Sequence, residues 1–311
     1  MISVRSKRSI SLRSQSTRIK RSRGDLVFDI FIFIIMSLFM FICLYPLHFI
    51  LIASVSDPNQ VLIGNVLLTP SGFTLDGYAR ILQDQRIWTG YRNTLLYATI
   101  GTTINVTLTL TAGYALSRKD LPGRKWILLV IIFTMFFNGG MIPTFIVVRN
   151  LGLLDTMWAM VLPNAVHIWN LMITRSFFET TIPDELHEAA SIDGCSTFRF
   201  FLQIVLPLSK AIIAVMVLFY AIIHWNTFFA ALIYLTSPDR FPLQIILRNI
   251  LLMNQPDAAL VDDAVTLLER QRLSELIKYG VIVVASVPVL AMYPFVQRYF
   301  VKGVMIGSIK G

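Results

Sequence analysis

Two apolar stretches of this 311-residue chain carry uncharged polar side chains that are suited to binding a hydroxyl-rich solute. In the first stretch Asn164, His167 and Thr174 recur at the spacing of one helix face, and in the second Tyr220 and His224 do so. Aromatic rings with polar tips and a few placed amides can orient a sugar in a mostly apolar pocket. The residues predicted to line a substrate path are Asn164, His167, Asn170, Tyr220, His224, Trp225 and Asn226. The alternative is that these groups only join neighbouring helices by hydrogen bonds.

Residue patterns for catalysis or for autonomous energy coupling are missing from the sequence. It has no phosphate-binding loop, no zinc-protease motif and no nucleophile elbow. The four histidines are scattered, and Cys43 and Cys195 have no spaced partners, so we predict no catalytic residue, metal site or cofactor in this chain. Within the apolar stretches, charged residues occur only at the edges, as Asp29 and Lys278 do. A self-powered transporter is disfavoured, because proton-driven carriers need such groups inside the membrane.

The composition is that of an integral membrane protein. Charged residues make up 14% of the chain and apolar residues 55%, whereas a soluble domain has about 25% charged residues. A backbone in lipid must satisfy its own hydrogen bonds, so each apolar stretch of about 20 residues is interpreted as a helix. The sequence therefore predicts an all-α protein with six transmembrane helices, at 27–52, 93–117, 126–148, 156–177, 211–234 and 279–297.

The distribution of basic residues predicts the orientation of these helices. If both termini lie in the cytoplasm, the cytoplasmic pieces hold 18 of the 27 Lys and Arg residues, as the positive-inside rule requires. Eight of them fall in residues 1–25, which we interpret as a basic cytoplasmic arm followed by an uncleaved membrane span. Nucleic-acid binding by this arm is poorly supported, because the span follows at once.

A polar segment at 183–207, between the fourth and fifth predicted helices, has its own helix signals. Pro183 suits the first position of a helix, and Gly194 suits the left-handed residue that ends it. Ser196 or Thr197 can cap a second short helix, which Pro207 would end. The segment is either a loop of ordinary amphipathic helices or a cytoplasmic docking element for a partner protein.

Glu188-Ala189-Ala190, Gly194 and Ile204-x-Leu206-Pro207 complete a spaced pattern within this segment. The pattern resembles the EAA loop of binding-protein-dependent ABC importer permeases. The stretches at 72–78, 151–156, 225–226 and 297–311 are similar to the carbohydrate-uptake class, whose prototype is the smaller permease subunit of the maltose importer. Their details resemble the subgroup that takes up oligosaccharides from complex polysaccharides.

This resemblance implies a type I ABC importer permease fold, with both termini inside, in the cell membrane. It implies a second, non-identical permease subunit, two cytoplasmic ATPase subunits that hold ATP and Mg, an extracytoplasmic sugar-binding protein and surrounding lipid, with no nucleic acid. The outer segment 235–278 would meet the binding protein, and the tail would reach the ATPases. The residues expected to couple transport to the ATPase are Glu188, Ala189, Ala190, Asp193, Gly194, Ile204, Leu206 and Pro207.

The expected parts of the chain are the arm at 1–25, a first helix and outer loop at 26–92, a permease core at 93–298 with the coupling loop 179–207, and a cytoplasmic tail at 299–311. In the maltose system most sugar contacts come from the other permease. The resemblance therefore supports the coupling residues more directly than it supports the residues predicted to line a substrate path. The alternatives are an ABC permease for another neutral solute or a peptide and, more remotely, a self-contained channel or membrane enzyme.

Overall fold

The computed structural model describes residues 23–253 and 275–291, together with 272, 294 and 297. Every regular element in these ranges is helical, which confirms the predicted all-α class for this part of the chain. The predicted basic arm up to residue 22, most of the outer segment at 254–271 and the predicted tail at 299–311 lie outside the described residues.

The described chain divides into two compact units, of which the first ends at Phe49 and the second begins at Ile50. Helix α1 (Arg23–Ala53) supplies the described part of the first unit. Its apolar side chains from Leu26 to Leu47 are exposed, as expected for a helix that faces lipid. The predicted first span at 27–52 therefore falls within one long helix.

The second unit contains the remaining helices. In chain order they are α2 (Pro58–Ile63), α3 (Asp76–Gln83), α4 (Gln85–Ser117), α5 (Arg124–Phe136), α6 (Met141–Asn150), α7 (Met157–Val161), α8 (Ile168–Thr181), α9 (Asp184–Ile192), α10 (Thr197–Phe200), α11 (Leu206–Leu208), α12 (Lys210–Trp225), α13 (Phe229–Tyr234), α14 (Leu243–Met253) and α15 (275–291).

Helix α4 is the central element of this unit, because it packs against α8, α12 and α14. Its buried face repeats every fourth residue and consists largely of small or polar side chains. The members of this face are Asn93, Tyr97, Gly101, Asn105, Thr109 and Gly113. Small residues let helix backbones approach closely in lipid, where the hydrophobic effect does not drive helices together. A Cβ at Gly101 would overlap the imidazole of His224 on α12, so a larger residue here would have to displace that ring.

Three of the predicted spans are broken, and the expectation of continuous helices there is wrong. The predicted span 126–148 consists of α5 and α6, and the chain bends by 113° between these two helices. Around the break, the side chain of Asn138 accepts a hydrogen bond from the backbone N–H of Gly140, which has a φ of +85°. The span 156–177 is interrupted at 162–167, and the span 211–234 is interrupted between Trp225 and Phe229.

Within the described residues, two helices are long and apolar enough to cross a membrane, α1 and α4. The number rises to four if each of two bent pairs, α5 with α6 and Thr197–Leu208 with α12, counts as one span. The sixth predicted span, 279–297, coincides with α15 as far as residue 291. Six spans and their orientation stay predictions.

Candidate functional site

Helix α9 forms the first half of the predicted coupling segment, and its end has the geometry that the sequence predicts. Gly194 has a φ of +72°. The N–H of Cys195 donates to the carbonyl of Ala190 at 2.9 Å, and the N–H of Gly194 donates to that of Ser191 at 3.1 Å. This pair of bonds is a Schellman motif, which satisfies carbonyls that the helix end would leave unpaired. At the other end the prediction is wrong by one residue: Pro183 is extended, with a ψ of 143°, and precedes the first helical residue.

The second half of the segment begins as predicted and ends one residue later than expected. The hydroxyl of Ser196 accepts a hydrogen bond from the N–H of Arg199 and caps α10. A π-helical turn (Phe201–Val205) follows, and α11 continues past Pro207 to Leu208. Proline has no N–H for the helical ladder and crowds the preceding turn, so a widened turn before Pro207 is a common accommodation. The chain then bends by 83° into α12.

The segment is anchored on one side and exposed on the other. Ala190, Phe200, Phe201 and Val205 are buried in one apolar cluster that also contains residues of α4, α8 and α12. Three apolar side chains nevertheless lie on the surface, with exposed fractions of 87% for Ile192, 70% for Phe198 and 45% for Leu202. Of the predicted coupling residues, the exposed ones are Glu188, Ala189, Asp193, Gly194 and Pro207, the partly buried ones are Ile204 and Leu206, and the buried one is Ala190. Exposed apolar side chains beside a carboxylate are typical of a protein-binding surface.

Ion pairs tie the start of α9 to the basic loop that follows α4. Asp184 Oδ2 lies 2.8 Å from Lys119 Nζ, and Oδ1 lies 3.6 Å from Nη1 of Arg118. The hydrogen bond from Lys119 and its charge lower the pKa of Asp184. Nη2 of Arg118 is also 3.2 Å from Nδ1 of His187, one turn further along α9. These contacts position the coupling segment against the loop, and sequence reasoning missed them because the partners are 65 and more residues apart.

A pair of arginines holds α8, the helix that leads into the segment. Glu179, near the end of α8, forms ion pairs with Arg124 at the start of α5 and with Arg175 one turn earlier in α8. The Nε groups of both arginines donate to the carbonyl of Leu116, at 2.8 Å from Arg124 and 3.3 Å from Arg175. The ends of α4 and α8 and the beginning of α5 are therefore linked at one point.

Buried hydrogen bonds join α4, the break at 162–167 and α12. Asn105 Nδ2 donates to the carbonyl of Asn164 at 3.1 Å, and Asn105 Oδ1 lies 3.4 Å from Nε2 of His224. The hydroxyl of Tyr220 shares a 2.6 Å hydrogen bond with that of Thr109 and accepts one from the N–H of His167 at 3.1 Å. Asn164, His167, Tyr220 and His224 are thereby brought together, although Asn164 and His167 precede α8 and do not share a helical face with Thr174 as predicted.

The side chains of the other predicted path residues make no hydrogen bond to this cluster. Asn170 is buried on α8, and its side-chain nitrogen has no hydrogen-bond partner among the described residues. Trp225 is buried and donates from Nε1 to the carbonyl of Ala285 on α15 at 3.2 Å. Asn226 donates to the carbonyl of Ile222 on its own helix. Asn105 and Thr109 were missed by sequence reasoning, although their four-residue spacing from Gly101 and Gly113 was a usable signal.

A third polar site anchors the beginning of the predicted outer segment 235–278. Asp155 has a φ of 54°, a left-handed conformation that Asp tolerates better than most residues. Its Oδ1 accepts hydrogen bonds from the N–H groups of Thr236 and Ser237, both at 3.0 Å, and its Oδ2 accepts from the Ser237 hydroxyl at 2.5 Å. Arg240 Nη1 lies 3.2 Å from Oδ2. These donors, Ser237 first, lower the pKa of Asp155 to about 2.

Helix α4 holds the same segment from its other side. Asn93 Nδ2 donates to the carbonyl of Asp239 at 2.7 Å, and the Tyr97 hydroxyl donates to that of Arg240 at 2.8 Å. The N–H of Leu243, at the start of α14, donates to the hydroxyl of Thr94 at 2.8 Å. Residues 236–243 are therefore held by hydrogen bonds both to Asp155 and to helix α4.

Together, these features define a helical membrane protein in which the segment 183–207 and the loop at 236–243 are each anchored to the helical body. Within the described ranges there is no group of three or more His, Cys, Asp or Glu residues that could hold a metal ion. Residues 87–306 match the model of a family described as the binding-protein-dependent transport system inner membrane component. The chain belongs to this family, and the resemblance inferred from the EAA pattern is confirmed.

Relatives of known name span nearly the whole chain. The chain is 40% identical over 288 residues to the polygalacturonan/rhamnogalacturonan transport system permease protein YtcP of Bacillus subtilis, covering 92% of this chain and 99% of the relative. It is 29% identical to the arabinooligosaccharides transport system permease protein AraQ of Halalkalibacterium halodurans, covering 87% and 92% of the two chains. A chain of a bacterial ABC transporter involved in the import of the acidic polysaccharide alginate is 33% identical, with a TM-score of 0.82, covering 90% of this chain and 99% of that one.

These similarities make the chain a permease subunit of an ABC transporter and a multi-pass membrane protein. It is not an enzyme, since its relatives are permeases whose ATPase resides on separate subunits.

Proposed function

We propose that this chain is one permease subunit of an importer for oligosaccharides, and that fragments of uronate-containing polysaccharides are its substrates. The observation that carries this proposal is the 40% identity over nearly full length to a permease named for polygalacturonan and rhamnogalacturonan. The 33% identity to a chain of an alginate importer supports the same chemical class.

The assembly that this function requires contains a second, non-identical permease, two ATPase subunits that bind ATP and Mg, and an outer sugar-binding protein. The surface of α5 supports a protein or lipid partner within the membrane: all of its residues have exposed or partly exposed side chains, among them Trp126, Phe133 and Phe136. The six-helix arrangement with both termini in the cytoplasm is part of this proposal.

The segment 183–207 is proposed to transmit motion from the ATPase. Its exposed face presents Glu188 beside apolar side chains, and its buried face is continuous with the cluster that holds α4 and α12. A rigid element with one free face transmits displacement better than a loop, since close-packed interiors transmit strain.

The cluster around Asn105 and Tyr220 is proposed to form a wall of the substrate path. The side chains of Asn164 and His167 are exposed, whereas their backbones are hydrogen-bonded to the buried cluster. This arrangement supports a division of roles. The buried side chains fix the non-helical backbone at 162–167, and the exposed side chains of that stretch contact the sugar. In the opposing interpretation, the whole cluster only joins helices.

Uptake into proteoliposomes tests the proposed substrate. The complete complex is reconstituted with its binding protein and supplied with ATP, and uptake of labelled galacturonate oligosaccharides is compared with uptake of maltooligosaccharides and a peptide of similar size. We expect ATP-dependent uptake of the galacturonate oligosaccharides. Uptake of the peptide alone would contradict the carbohydrate assignment, and uptake of only the neutral sugar would contradict the uronate preference.

A further inference from the structure

We propose that Tyr91 and Trp225 are positioning residues for transport, because together they hold helix α15 at its internal proline, Pro288. Their side chains join α15 to α4 and α12, so that the three helices move together when the coupling segment moves. The contacts do not depend on which molecule is transported, and only their role in transport rests on the proposed function.

Pro288 leaves a backbone carbonyl of α15 without its usual donor. Proline has no N–H, so the helical hydrogen bond to the carbonyl of Val284, four residues earlier, cannot form. The proline ring also crowds that carbonyl, which is why helices commonly bend at a proline. Most of α15 coincides with the predicted sixth span, and in lipid such a carbonyl must be satisfied by a neighbouring group. A donor from another helix is therefore expected here.

Two side chains from different helices supply donors at this point. The hydroxyl of Tyr91, on α4, donates to the carbonyl of Val284 at 2.5 Å. Nε1 of Trp225, the last residue of α12, donates to the next carbonyl, that of Ala285, at 3.2 Å. The two aromatic rings also contact each other, with 6.1 Å between their centroids. We call this arrangement of two donors on two consecutive carbonyls the Pro288 joint.

The Pro288 joint lies in an apolar cluster to which four helices contribute. Trp225 is buried there with Ile87 of α4, Leu243 of α14 and Val281 of α15, and Tyr91 packs against them. Apolar neighbours offer no alternative donor for the two carbonyls. Removing either aromatic donor would therefore leave a polar group unsatisfied, which costs more than an exposed hydrogen bond does.

The joint connects the far end of α12 to α15. Helix α12 begins at Lys210, shortly after the coupling segment, where the chain bends by 83°, and it ends at Trp225. Helix α4, which carries Tyr91, packs along α12. A displacement of the coupling segment reaches α15 through these packed helices and two hydrogen bonds, since close-packed interiors transmit strain. The first residues of α15 belong to the outer segment 235–278, so the joint links the two parts of the chain that are expected to meet partner proteins.

A double-mutant cycle tests the joint on the complete chain, purified in detergent without sugar or ATP. Tyr91→Phe keeps the ring and removes the donor, so we expect the melting temperature to fall by about 2 °C or more. Pro288→Ala restores a backbone N–H that can donate to the carbonyl of Val284. In that background Tyr91→Phe should lower the melting temperature by less than half as much. Equal losses in both backgrounds, or no loss in the parent, overturn the joint.

Tyr97→Phe is the matched control for this cycle. Tyr97 lies on the same helix and also donates to a backbone carbonyl, that of Arg240 at 2.8 Å, which lies outside α15. Its loss should lower the melting temperature equally in both backgrounds.

Hydrogen exchange gives a second measurement, which does not require Pro288→Ala to fold. Exchange in the peptide 281–291 is followed by mass spectrometry. We expect it to be at least about threefold faster in Tyr91→Phe than in Tyr97→Phe, because α15 is then held less tightly. Equal exchange in the two variants overturns the joint.

Trp225→Phe tests the role of the joint in transport. This variant keeps an aromatic ring in the cluster but loses the N–H that binds the carbonyl of Ala285. In the reconstituted complex, binding protein loaded with galacturonate oligosaccharides stimulates ATP hydrolysis, and we expect the maximal stimulation to fall about fivefold. The half-saturating concentration of loaded binding protein should change less than twofold. Full stimulation, or a changed half-saturating concentration with an unchanged maximum, overturns the positioning role.

Trp88→Phe is the matched control for this assay. Trp88 is exposed and also donates from Nε1 to a backbone carbonyl, that of Leu82 at 2.9 Å, away from α15. It should keep the stimulation of the parent, and equal losses in both tryptophan variants would overturn the role of the joint. If galacturonate oligosaccharides do not stimulate the parent complex, the proposed substrate is wrong, and the same comparison is made with the sugar that does. The two failures are therefore distinguishable.

Discussion

The imidazole of His224 lies directly against the backbone of Gly101, where α12 crosses α4. We expect Gly101→Ala to destabilise the protein by about 1–3 kcal/mol, the usual effect of adding a methyl group to a closely packed interior. Thermal unfolding of the purified protein in detergent measures this change. Gly139→Ala is the matched control, since a Cβ there meets Pro143 at an ordinary 3.5 Å. Equal stability of both variants would contradict this expectation, because it would show that α4 and α12 accommodate the added methyl group without a loss of stability.

The sequence indicated local features well and non-local ones poorly. Gly194 and Ser196 could be recognised as caps because their partners are no more than five residues away. The ion pair between Lys119 and Asp184 joins the loop after α4 to α9, elements far apart in the sequence, and follows from packing alone. The same holds for Asn105 and His224, which contact each other across 119 residues.

The helix breaks show a different limit. An apolar stretch predicts membrane burial, and a length of about 20 residues predicts a span, but neither predicts straightness. Asn138-Gly139-Gly140 and Pro163 were visible as breakers within two predicted spans. Their effect was overlooked because apolar composition continues through both sites.

Gly194→Ala tests whether the geometry of the coupling segment is needed. A Cβ at Gly194 would have nothing within 4 Å, so the expected cost of about 1 kcal/mol is entirely backbone strain at positive φ. We expect sugar-stimulated ATP hydrolysis of the reconstituted complex to fall several-fold, with membrane insertion unchanged. Gly64→Ala imposes the same strain in an equally open site outside the segment and should leave stimulation intact. A similar loss in both variants would indicate general destabilisation.

Glu188 is the exposed carboxylate proposed to meet a basic group of the ATPase. We expect Glu188→Ala to reduce sugar-stimulated ATP hydrolysis about tenfold or more, because truncating one member of an interfacial charge pair leaves the other unpaired. Glu185→Ala, one turn earlier and also exposed, is the control. Co-purification of the ATPase with each variant separates weaker assembly from weaker coupling. Normal stimulation with Glu188→Ala would remove this residue from the proposed contact.

The substrate path can be distinguished from simple helix joining by comparing two positions. His167 has an exposed side chain, whereas the hydroxyl of Tyr220 is buried between helices. We expect His167→Ala to lower sugar uptake several-fold without changing the melting temperature. Tyr220→Phe should lower the stability by about 1 kcal/mol through its lost hydrogen bonds. If His167→Ala transports normally, the sugar contacts belong to the partner permease.

Asp155 makes the anchoring of the predicted outer segment dependent on pH. Its pKa is about 2 in the folded protein and near 3.9 in an unfolded chain, so folding favours the ionised carboxylate. The stabilisation is fully present above about pH 4 and is lost as the pH falls from about 4 to about 2. Since the carboxylate is partly solvated, we expect a contribution of about 1 kcal/mol.

Limited proteolysis measures this anchoring locally. Cleavage after the 235–243 stretch should be slow at neutral pH in the parent protein and faster in Asp155→Asn, which keeps the size of the side chain but loses its charge. In acid, where pepsin is active, the two proteins should converge as the pH falls to about 2, because Asp155 is then protonated. Asp84→Asn, which removes a carboxylate paired with Arg86 at another exposed site, is the control and should leave this cleavage unchanged. If Asp155→Asn and the parent are cleaved equally at neutral pH, the hydrogen bonds from α4 alone hold the segment.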